Sequence, residues 1–596
     1  MLLPDPVNSI SYRKYAINYK VNISLAIITC IMLWSNMSMA QGTWKQVATT
    51  SPDLNAGVML LLTNGTVMVK TKTGFDGSGN YWNKLIPDVN GSYVNGIWSS
   101  MAPMTYSRFY FSTQVLRNGN VYVAGGEYGN GKAKCEIYDP LADSWSPGPN
   151  TLIPSDSFFD ANSEILPDGK ILQAIVIGGS LRNYIYDPVA NTYTLGPNSL
   201  KNHDESTWVK LPDSSILYVD IDDTTSERYI PSLNRWIKDD TLHVRLYDTF
   251  GKESGAGFLL PDRRVFFIGS TGKTAFYTPS GDTTHGTWTT GPDIPDSLGA
   301  PDAAAAMMPN GKILCAFSHV PTDSIEFHKP TYFYEFDYLT DSFTKIHAPI
   351  GGDTMSCPSY YTNMLNLPDG SILFSTQYSS KYYVYTPSGK PLAAGKPTID
   401  AITKIDCYTY MATGKNFNGI SEGSCYGDDW QMATNYPIIR LTDDESSVSY
   451  ARTYNWNCTG VMTGNLPDTT TFSIDPALPE GTYSLQVIVN GNPSDNFAFS
   501  TCSAGIPVIT TSQSKGLYTY PNPATNEANL VFNSVNGGKY SLRLIDVLGR
   551  VMREETINAA TGKNTHNIYI NELTKGIYTV MLGNENEILK TKIVVE

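Results

Sequence analysis

Charged side chains are scarce in this sequence and make up only 16% of its 596 residues. Lysine and arginine together number 42, against 56 aspartates and glutamates, which gives a formal net charge of −14. A nucleic-acid-binding surface needs clustered basic residues, so this balance argues against nucleic acid as a partner. The chain also lacks any Cys-x-x-Cys pair of the kind that indicates a zinc site.

Long apolar runs are equally rare, and the one candidate lies near the amino terminus. Arg13, Lys14 and Lys20 precede the run SLAIITCIMLW, and small residues at Ser38 and Ala40 precede Gln41. This order predicts a secretory signal peptide over residues 1–40. The apolar run is too short to span a bilayer as a mature helix, so we expect no transmembrane segment in the mature chain.

Cysteine is sparse, but four of the cysteines crowd into the stretch from 407 to 502. In an oxidising compartment such crowding predicts one or two disulfides. The sequence leaves open how these residues pair: Cys407, Cys425, Cys458 and Cys502.

Turn-forming and aromatic residues are abundant, with 49 Gly, 36 Pro and 38 Tyr, which is typical of many short strands. An apolar run, a tight turn and a second apolar run recur seven times, with turns at Asn64, Asn118, Asp168, Asp213, Asp262, Asn310 and Asp369. A second strand pair follows most of these hairpins. Four strands repeating about every 50 residues are typical of kelch blades, so we predict a seven-bladed kelch-type β-propeller over residues 41–397.

The last repeat has no aromatic-bearing fourth strand after it. The segment GTWKQ at the start of the mature chain, with Trp44, matches the fourth strands of the other repeats. We therefore expect residues 43–48 to pair with the blade near residues 360–390 and close the ring, which leaves no exposed edge at the junction.

Beyond the repeats, apolar and polar residues alternate at the period of β-strands. This pattern predicts an Ig-like β-sandwich over residues 398–502 and a smaller one over 516–596, with a small, polar linker at 503–515. The predicted fold class is all-β throughout.

The last segment resembles the type A C-terminal sorting domain of the Bacteroidetes type IX secretion system. The shared motifs are YPNPATNEANL, LIDVLGRVM, LTKGIYTVML and the closing KTKIVVE, in the expected order. The resemblance implies contact with the secretion machinery and an extracellular or outer-surface location, reached through the signal peptide. It does not indicate whether the mature protein stays attached or is released.

Residues 42–502 resemble galactose-oxidase-like kelch proteins that carry an early-set domain. That family oxidises alcohols at a copper ion held by tyrosines and histidines, with one tyrosine cross-linked to a cysteine. The matching positions here keep Tyr110 and Tyr360, but Ala56 replaces the cysteine and Tyr361 replaces a histidine. Residues 400–505 contain no histidine that could complete the set. Since copper favours imidazole, we do not expect a copper-radical oxidase.

The residues eight and nine positions before each hairpin turn begin the innermost strand of each predicted blade. In a propeller these strand starts meet on one face, around the central channel. Blades three to six place a carboxylate there, whereas blades two, three and seven place aromatic rings. The predicted ligand-binding residues are Arg108, Tyr110, Asp160, Asp204, Glu205, Glu253, Asp302, Tyr360 and Tyr361.

Several carboxylates at one rim repel one another, and something must offset that repulsion. One candidate is Ca²⁺, another is a raised pKa that suits general acid–base chemistry, and others are a salt bridge to Arg108 or simple hydration. The calcium ligands would be Asp160, Asp204, Glu205 and Asp302, and the catalytic candidates are Asp204, Glu205 and Glu253. Each acid could equally cap a turn, which is a structural role.

Aromatic faces beside carboxylates suit a sugar, through ring packing and hydroxyl hydrogen bonds. The sequence therefore favours a secreted or surface propeller that binds a glycan or a glycosylated polymer. Two alternatives stay open: a copper-independent polysaccharide hydrolase or lyase, and a scaffold for protein interactions.

Overall fold

The computed structural model describes residues 41–177, 181–205, 207–423, 425–426, 430–431, 433–501, 517–546, 550–584 and 588–596. The predicted signal peptide, the predicted linker and Cys502 lie outside these residues. The chain divides into two compact units, residues 1–503 and residues 504–596. The described part is built from strands and short 3-10 turns, which confirms the predicted all-β class.

Antiparallel sheets of four main strands, here numbered as blades 1 to 7, cover residues 43–386. From the innermost strand outward, blade 1 contains Asn55–Leu61, Val67–Thr71, Trp82–Ile86 and Ile97–Ser100. Blade 2 contains Ser112–Val115, Val121–Ala124, Cys135–Asp139 and Ser144–Pro147. Blade 3 contains Ser163–Ile165, Ile171–Ala174, Asn183–Asp187 and Thr192–Leu195.

The remaining blades repeat this order. Blade 4 contains Thr207–Lys210, Ile216–Val219, Ser226–Ile230 and Arg235–Lys238. Blade 5 contains Gly257–Leu259, Val265–Ile268, Thr274–Thr278 and Thr287–Thr290. Blade 6 contains Ala305–Met307, Ile313–His319, Thr331–Asp337 and Ser342–Ile346. Blade 7 contains Thr362–Asn366, Ile372–Thr376, Tyr382–Thr386 and, from the amino-terminal end, Thr43–Gln46.

The innermost strands of neighbouring blades are joined by buried side-chain hydrogen bonds. Gln114 of blade 2 donates to the Ser163 carbonyl of blade 3 over 2.9 Å. Thr207 of blade 4 donates to the Gly255 carbonyl just before the innermost strand of blade 5 over 2.8 Å. These bonds hold the strand edges side by side around a central channel, as in a β-propeller.

The amino-terminal strand closes the ring as predicted. Thr43 pairs with Thr386, and Trp44 pairs with Tyr385 in an antiparallel register. The Trp44 indole packs edge-on against Phe333 and Phe374 and donates a 2.8 Å hydrogen bond to the His347 carbonyl. The two ends of the propeller sequence are thus joined by both a ladder and an aromatic core.

Shorter elements connect these strands. Arg108–Phe109 pairs with Tyr128–Gly129, Leu298–Gly299 pairs with the second strand of blade 6, and Thr354–Met355 pairs with its third strand. The 3-10 turns are Phe75–Gly77, Pro231–Leu233, Pro295–Ser297, Ser359–Tyr361 and Ala393–Gly395. Within the described residues, no helix has the length and apolar character needed to cross a membrane.

A continuous curved sheet follows the propeller within the same compact unit. Its strands, in sheet order, are Thr398–Lys404, Thr409–Lys415, Asp468–Ser473, Val448–Tyr454, Ile438–Thr442, Thr482–Val489 and Asn492–Pro493, with Phe497–Ser500 also on Thr482–Val489. Side chains from both ends of this order meet in one core, including Tyr410, Phe472, Leu485 and Phe499. The sheet therefore encloses its own core.

One segment leaves this sheet and enters the propeller channel. Glu422–Gly423 pairs with Phe258 and Leu259 at the inner edge of blade 5, and Cys425 pairs with Trp208 of blade 4. Trp430–Gln431 then pairs with Cys425–Tyr426. The channel is thus lined by backbone from two regions of the sequence.

The carboxy-terminal unit is a two-sheet sandwich. One sheet contains Tyr518–Tyr520, Glu527–Ser534 and Gly562–Tyr569, and the other contains Val551–Ala559, Gly538–Ile545, Gly576–Gly583 and Ile588–Val595. Alternate residues of both sheets, such as Leu530, Phe532, Leu542 and Val580, form its buried core.

Candidate ligand-binding site on the propeller face

Four strand starts share an unusual backbone conformation. Tyr110, Asp160, Glu205 and Asp302 have φ values of 52°, 41°, 44° and 47°, in the left-handed region that side chains other than glycine rarely adopt. They occupy the same position in blades 2, 3, 4 and 6, just before the innermost strand. The repeated conformation shows that the aligned positions are structurally equivalent, and strain of this kind is common at binding sites.

We call the face that carries these strand starts the channel mouth. Glu205 is the centre of an acidic cluster on this face. Burial, followed by the charges of Asp204, Glu127 and Glu326, raises the pKa of Glu205 to about 8, although a hydrogen bond with Asp160 opposes the shift. A carboxyl group with this pKa holds its proton at neutral pH. Glu205 and Asp160 can therefore share a proton, so that one of them donates a hydrogen bond.

The pKa values of the neighbouring acids are also raised. Burial and then Asp222 raise the pKa of Asp204, against the attraction of Lys252, which itself pairs with Asp222. Burial and then Asp248 raise the pKa of Glu326. Burial also raises the pKa of Glu127, to which the charge of Asp204 adds. The mouth therefore has more negative charge than its lysines neutralise.

Glu205→Gln is expected to stabilise the protein at pH 8 by about 4 kcal/mol and to leave it unchanged below pH 4.5. The unfolded chain releases the Glu205 proton near its ordinary value of 4.5, whereas the folded protein keeps it until about 8. Wild-type stability therefore falls as pH rises through this window, and a glutamine avoids that loss. Denaturant unfolding across this pH range, with the exposed Glu445→Gln as control, measures the difference. A difference that does not change with pH would contradict the assigned protonation.

Glu253 and Asp302 form the part of the rim contributed by blades 5 and 6. The Glu253 amide donates to the Asp248 carboxylate over 3.0 Å, and its carbonyl accepts a 2.7 Å hydrogen bond from Ser270. The Asp302 amide donates to the Ser254 carbonyl over 2.8 Å. Both side chains are more than nine-tenths buried. These contacts fix the backbone of the rim beside the acidic cluster.

Aromatic rings cover the other side of the mouth. Tyr110 stacks on Phe109 with ring centroids 4.0 Å apart, and its hydroxyl donates to Gln377 of blade 7 over 3.2 Å. Tyr360 and Tyr361 contact each other at 4.6 Å. Burial, with a hydrogen bond to Tyr361, raises the pKa of Tyr360, which stays a neutral phenol. The structure thus brings Tyr110, Tyr360 and Tyr361 to one side of the channel.

The structure places Arg108, a predicted ligand-binding residue, inside blade 2 and away from this site. The side chain is fully buried and forms a 3.0 Å ion pair with Glu136. It also donates to the carbonyls of Gly125, Gly131 and Lys134 over 2.5 to 2.9 Å. These bonds hold the guanidinium inside blade 2, whereas the Tyr110 side chain, two residues later, contacts Gln377 of blade 7.

His203 likewise belongs to the core, although its sequence neighbours lie at the mouth. Its Nε2 lies 2.8 Å from Glu227, and its Nδ1 accepts a 3.1 Å hydrogen bond from the Trp208 indole. The imidazole stacks on Tyr218 at 3.8 Å. His203 therefore stabilises blade 4, whereas Asp204 and Glu205 turn toward the channel.

The described residues contain no group of three or more histidine, cysteine, aspartate or glutamate side chains placed to share a metal ion. Asp160, Asp204, Glu205 and Asp302 are all among those residues, and calcium binding by them stays a prediction.

The cysteine cluster is partly settled. Cys407 is disulfide-bonded, whereas Cys458 is a free, half-buried thiol. The structure therefore supports a disulfide in this region and removes Cys458 from the possible pairs.

Residues 419–423 match the G-x-S-x-G pattern of a hydrolase nucleophile elbow. In that elbow a strand leads through a sharp turn into a helix that exposes the serine. Here Ser421 is buried and is followed by the two-residue strand Glu422–Gly423, which pairs with blade 5. Residues 419–423 therefore lead into the channel-entering strand and do not expose Ser421 as a nucleophile.

Comparison with known families now adds two matches. Residues 518–596 match the secretion system C-terminal sorting domain. The chain carries a secretion sorting domain. Residues 115–151, which span most of blade 2, match the kelch motif. The sorting domain marks the protein for secretion to the cell surface or the outside and implies contact with the secretion machinery.

Two solved structures with a similar fold share little sequence with the chain. A fungal alcohol oxidase of the AA5 family, in complex with copper, shares 16% identity over 78% of this chain and 100% of that one, with a TM-score of 0.47. An inactive virginiamycin B lyase from Staphylococcus aureus with quinupristin shares 11% identity over 58% and 99%, with a TM-score of 0.40. No curated protein matches the sequence. Beyond the sorting domain and the kelch motif, function must therefore be argued from the site.

Several residues of the mouth were missed by the sequence analysis. They lie in the connections between the second and third strands of blades 2, 6 and 7, which reach the same face as the innermost strand starts: Glu127, Tyr128, Glu326, Phe327, Gln377 and Tyr378. Counting back from the hairpin turns locates only the innermost strands. Reading forward from the second strands, through GGEYG and STQY, would have found two of these groups.

Proposed function

We propose that the propeller face binds a glycan at the channel mouth. The observation that carries this proposal is the pairing, on one face, of a tyrosine-rich side around Tyr110 and Tyr361 with the buried acidic cluster around Glu205. Aromatic faces offer flat apolar area to the C–H face of a sugar ring. Carboxyl groups that share a proton can both donate to and accept from hydroxyl groups.

The proposal does not involve copper, because the residues present do not fit the copper-radical site that the resemblance implies. Ala56 is buried in the place of the cross-linking cysteine, and Tyr361 stands where a histidine ligand would be needed. The Tyr110 hydroxyl is held by the Gln377 side chain. Phenols without imidazole partners are poor copper ligands.

A glycan array tests the proposal with wild-type protein and the variants Tyr110→Ala and Glu205→Ala. Wild type should bind a defined set of glycans, and each variant should lose at least about tenfold in affinity, since a central anchor contributes about 1.4 kcal/mol or more. Tyr81→Ala is the matched control, because Tyr81 is an exposed propeller tyrosine (46%) that makes no ring contact with the mouth among the described residues. The absence of any bound glycan, or unchanged binding by both variants, would refute the proposal.

A polysaccharide hydrolase or lyase is the second candidate, and the raised pKa of Glu205 favours it. A general acid must hold its proton near the working pH, and burial gives Glu205 that property. Asp204 lies next to it and could assist. Release of oligosaccharides from plant or algal polysaccharides, abolished by Glu205→Gln or Asp204→Asn, would replace binding by catalysis as the function.

A further inference from the structure

Seven aromatic rings form an unbroken series around the mouth, which we call the aromatic arc. Consecutive ring centroids lie 6.2, 4.0, 6.4, 5.2, 4.6 and 4.2 Å apart. These separations are close to or within the range in which aromatic rings contact one another. In order, the arc consists of Tyr128, Tyr110, Phe109, Tyr378, Tyr361, Tyr360 and Phe327.

The arc crosses three blades and stays open to solvent. Tyr128 of blade 2 is 53% exposed and Tyr378 of blade 7 is 40% exposed, whereas Phe109 is buried beneath them. Tyr110, Tyr360, Tyr361 and Phe327 are half-buried. A contiguous aromatic surface of this kind, on a secreted protein, marks an interaction site.

Charged groups flank the arc at both ends and at its centre. Glu127 precedes Tyr128, and Glu326 precedes Phe327. The pKa of each glutamate is raised by burial. At the centre, the Lys72 ammonium lies 4.7 Å from the Phe109 centroid and 5.0 Å from that of Tyr378. A polyanionic ligand would have to approach two carboxyl groups and the acidic mouth, and a polycationic ligand would have to approach the Lys72 ammonium, so an uncharged ligand fits best.

We propose that the aromatic arc binds several consecutive residues of an extended, neutral polysaccharide, and not a single terminal sugar. Apart from the buried Phe109, the rings of the arc are exposed or half-buried. Successive sugars of a chain can therefore pack on the accessible rings, while Phe109 supports Tyr110 and Tyr378 from beneath. The hydroxyl groups on the inner edge of the chain then face the Glu205 cluster. This inference deepens the proposed glycan binding and rests on it.

The dependence of affinity on oligosaccharide length separates binding of an extended chain from binding of a single terminal sugar. Titration calorimetry of the full chain would use neutral β-linked gluco-, manno- and xylo-oligosaccharides, from disaccharide to hexasaccharide, and oligouronates of equal length. In the series that binds, affinity should rise about tenfold or more from disaccharide to hexasaccharide, since each added sugar can pack on a further ring. The oligouronates should bind more weakly than the neutral series.

Variants at the ends of the arc locate the extra contacts. Tyr128→Ala and Phe327→Ala should each weaken hexasaccharide binding about threefold to tenfold while leaving the disaccharide unchanged. Tyr128→Phe keeps the ring and should bind like wild type, which separates stacking from misfolding, and Tyr81→Ala again serves as control. Tyr110→Ala should weaken both lengths.

Two outcomes would overturn the inference and leave the proposed function intact. One is equal affinity for short and long chains, and the other is hexasaccharide affinity that neither Tyr128→Ala nor Phe327→Ala lowers. Stronger binding of oligouronates would overturn the assignment of a neutral ligand. If no oligosaccharide of any series binds, the proposed function fails together with the inference, and an aromatic or apolar protein segment becomes the better occupant of the arc.

Discussion

Arg108→Met is expected to lower the free energy of unfolding by about 3–5 kcal/mol, because it leaves Glu136 charged and buried without its cation. Both side chains of this pair are at most 1% exposed, and three backbone carbonyls lose their donor as well. Methionine keeps much of the arginine volume, so the loss measures the missing charge and hydrogen bonds more than a cavity. Denaturant unfolding of the full chain at neutral pH gives the value.

The matched control is Lys396→Met, which breaks an ion pair with Asp495 on the surface. Its partners are 39% and 87% exposed, so the loss should stay below about 1 kcal/mol. A loss at Arg108 as small as the loss at Lys396 would contradict the structural role assigned to Arg108 and return it to the list of ligand-binding candidates.

Lys210→Met is expected to cost the protein about 3–5 kcal/mol at neutral pH and more above pH 8. The Lys210 ammonium lies 2.8 Å from Glu164 of blade 3 and 3.2 Å from Glu422 of the channel-entering segment. All three side chains are buried. Burial raises the pKa of Glu422 to about 8, and Lys210 opposes that rise. Without the lysine, Glu422 must ionise unpaired as pH rises, whereas at low pH it is neutral in the folded and the unfolded chain.

Neutralising the acids should rescue this variant. The triple variant Lys210→Met, Glu164→Gln, Glu422→Gln carries no buried charge at this point and should recover much of the lost stability, since a neutral replacement of a buried triad is often tolerated. The destabilisation should therefore vary with pH in the single variant only. A single variant that is equally stable from pH 4.5 to 8 would show that the channel-entering segment is not held by this triad.

The fold could be predicted because its signals are local and repeated. Each of the seven hairpin turns, from Asn64 to Asp369, lies between the first and second strands of a sheet. The fourth strand of the last blade could be located at Thr43–Gln46 because the sequence around Trp44 matches the fourth strands of the other blades. A repeat offers many copies of one signal, so errors in a single copy do not alter the interpretation.

The site was only half predictable, for two physical reasons. First, the left-handed backbone at Tyr110 separates its side chain from that of Arg108, so residues only two positions apart enter different environments. Second, Tyr128, Phe327 and Tyr378 lie on connections whose length and conformation vary between blades, and the aromatic arc exists only when three blades are assembled. The channel-entering Glu422 was missed because strand periodicity does not reveal which sheet a strand joins.

Hydrogen–deuterium exchange with and without a bound neutral hexasaccharide tests the central claim most directly, since it shows where on the propeller the ligand lies. Exchange should slow in the segments around Tyr110, Tyr128, Glu205, Tyr361 and Tyr378, and it should not change at the hairpin turns near Asn118 and Asp262 on the opposite face. Protection at those turns, with unchanged exchange around Tyr110 and Tyr361, would contradict this claim.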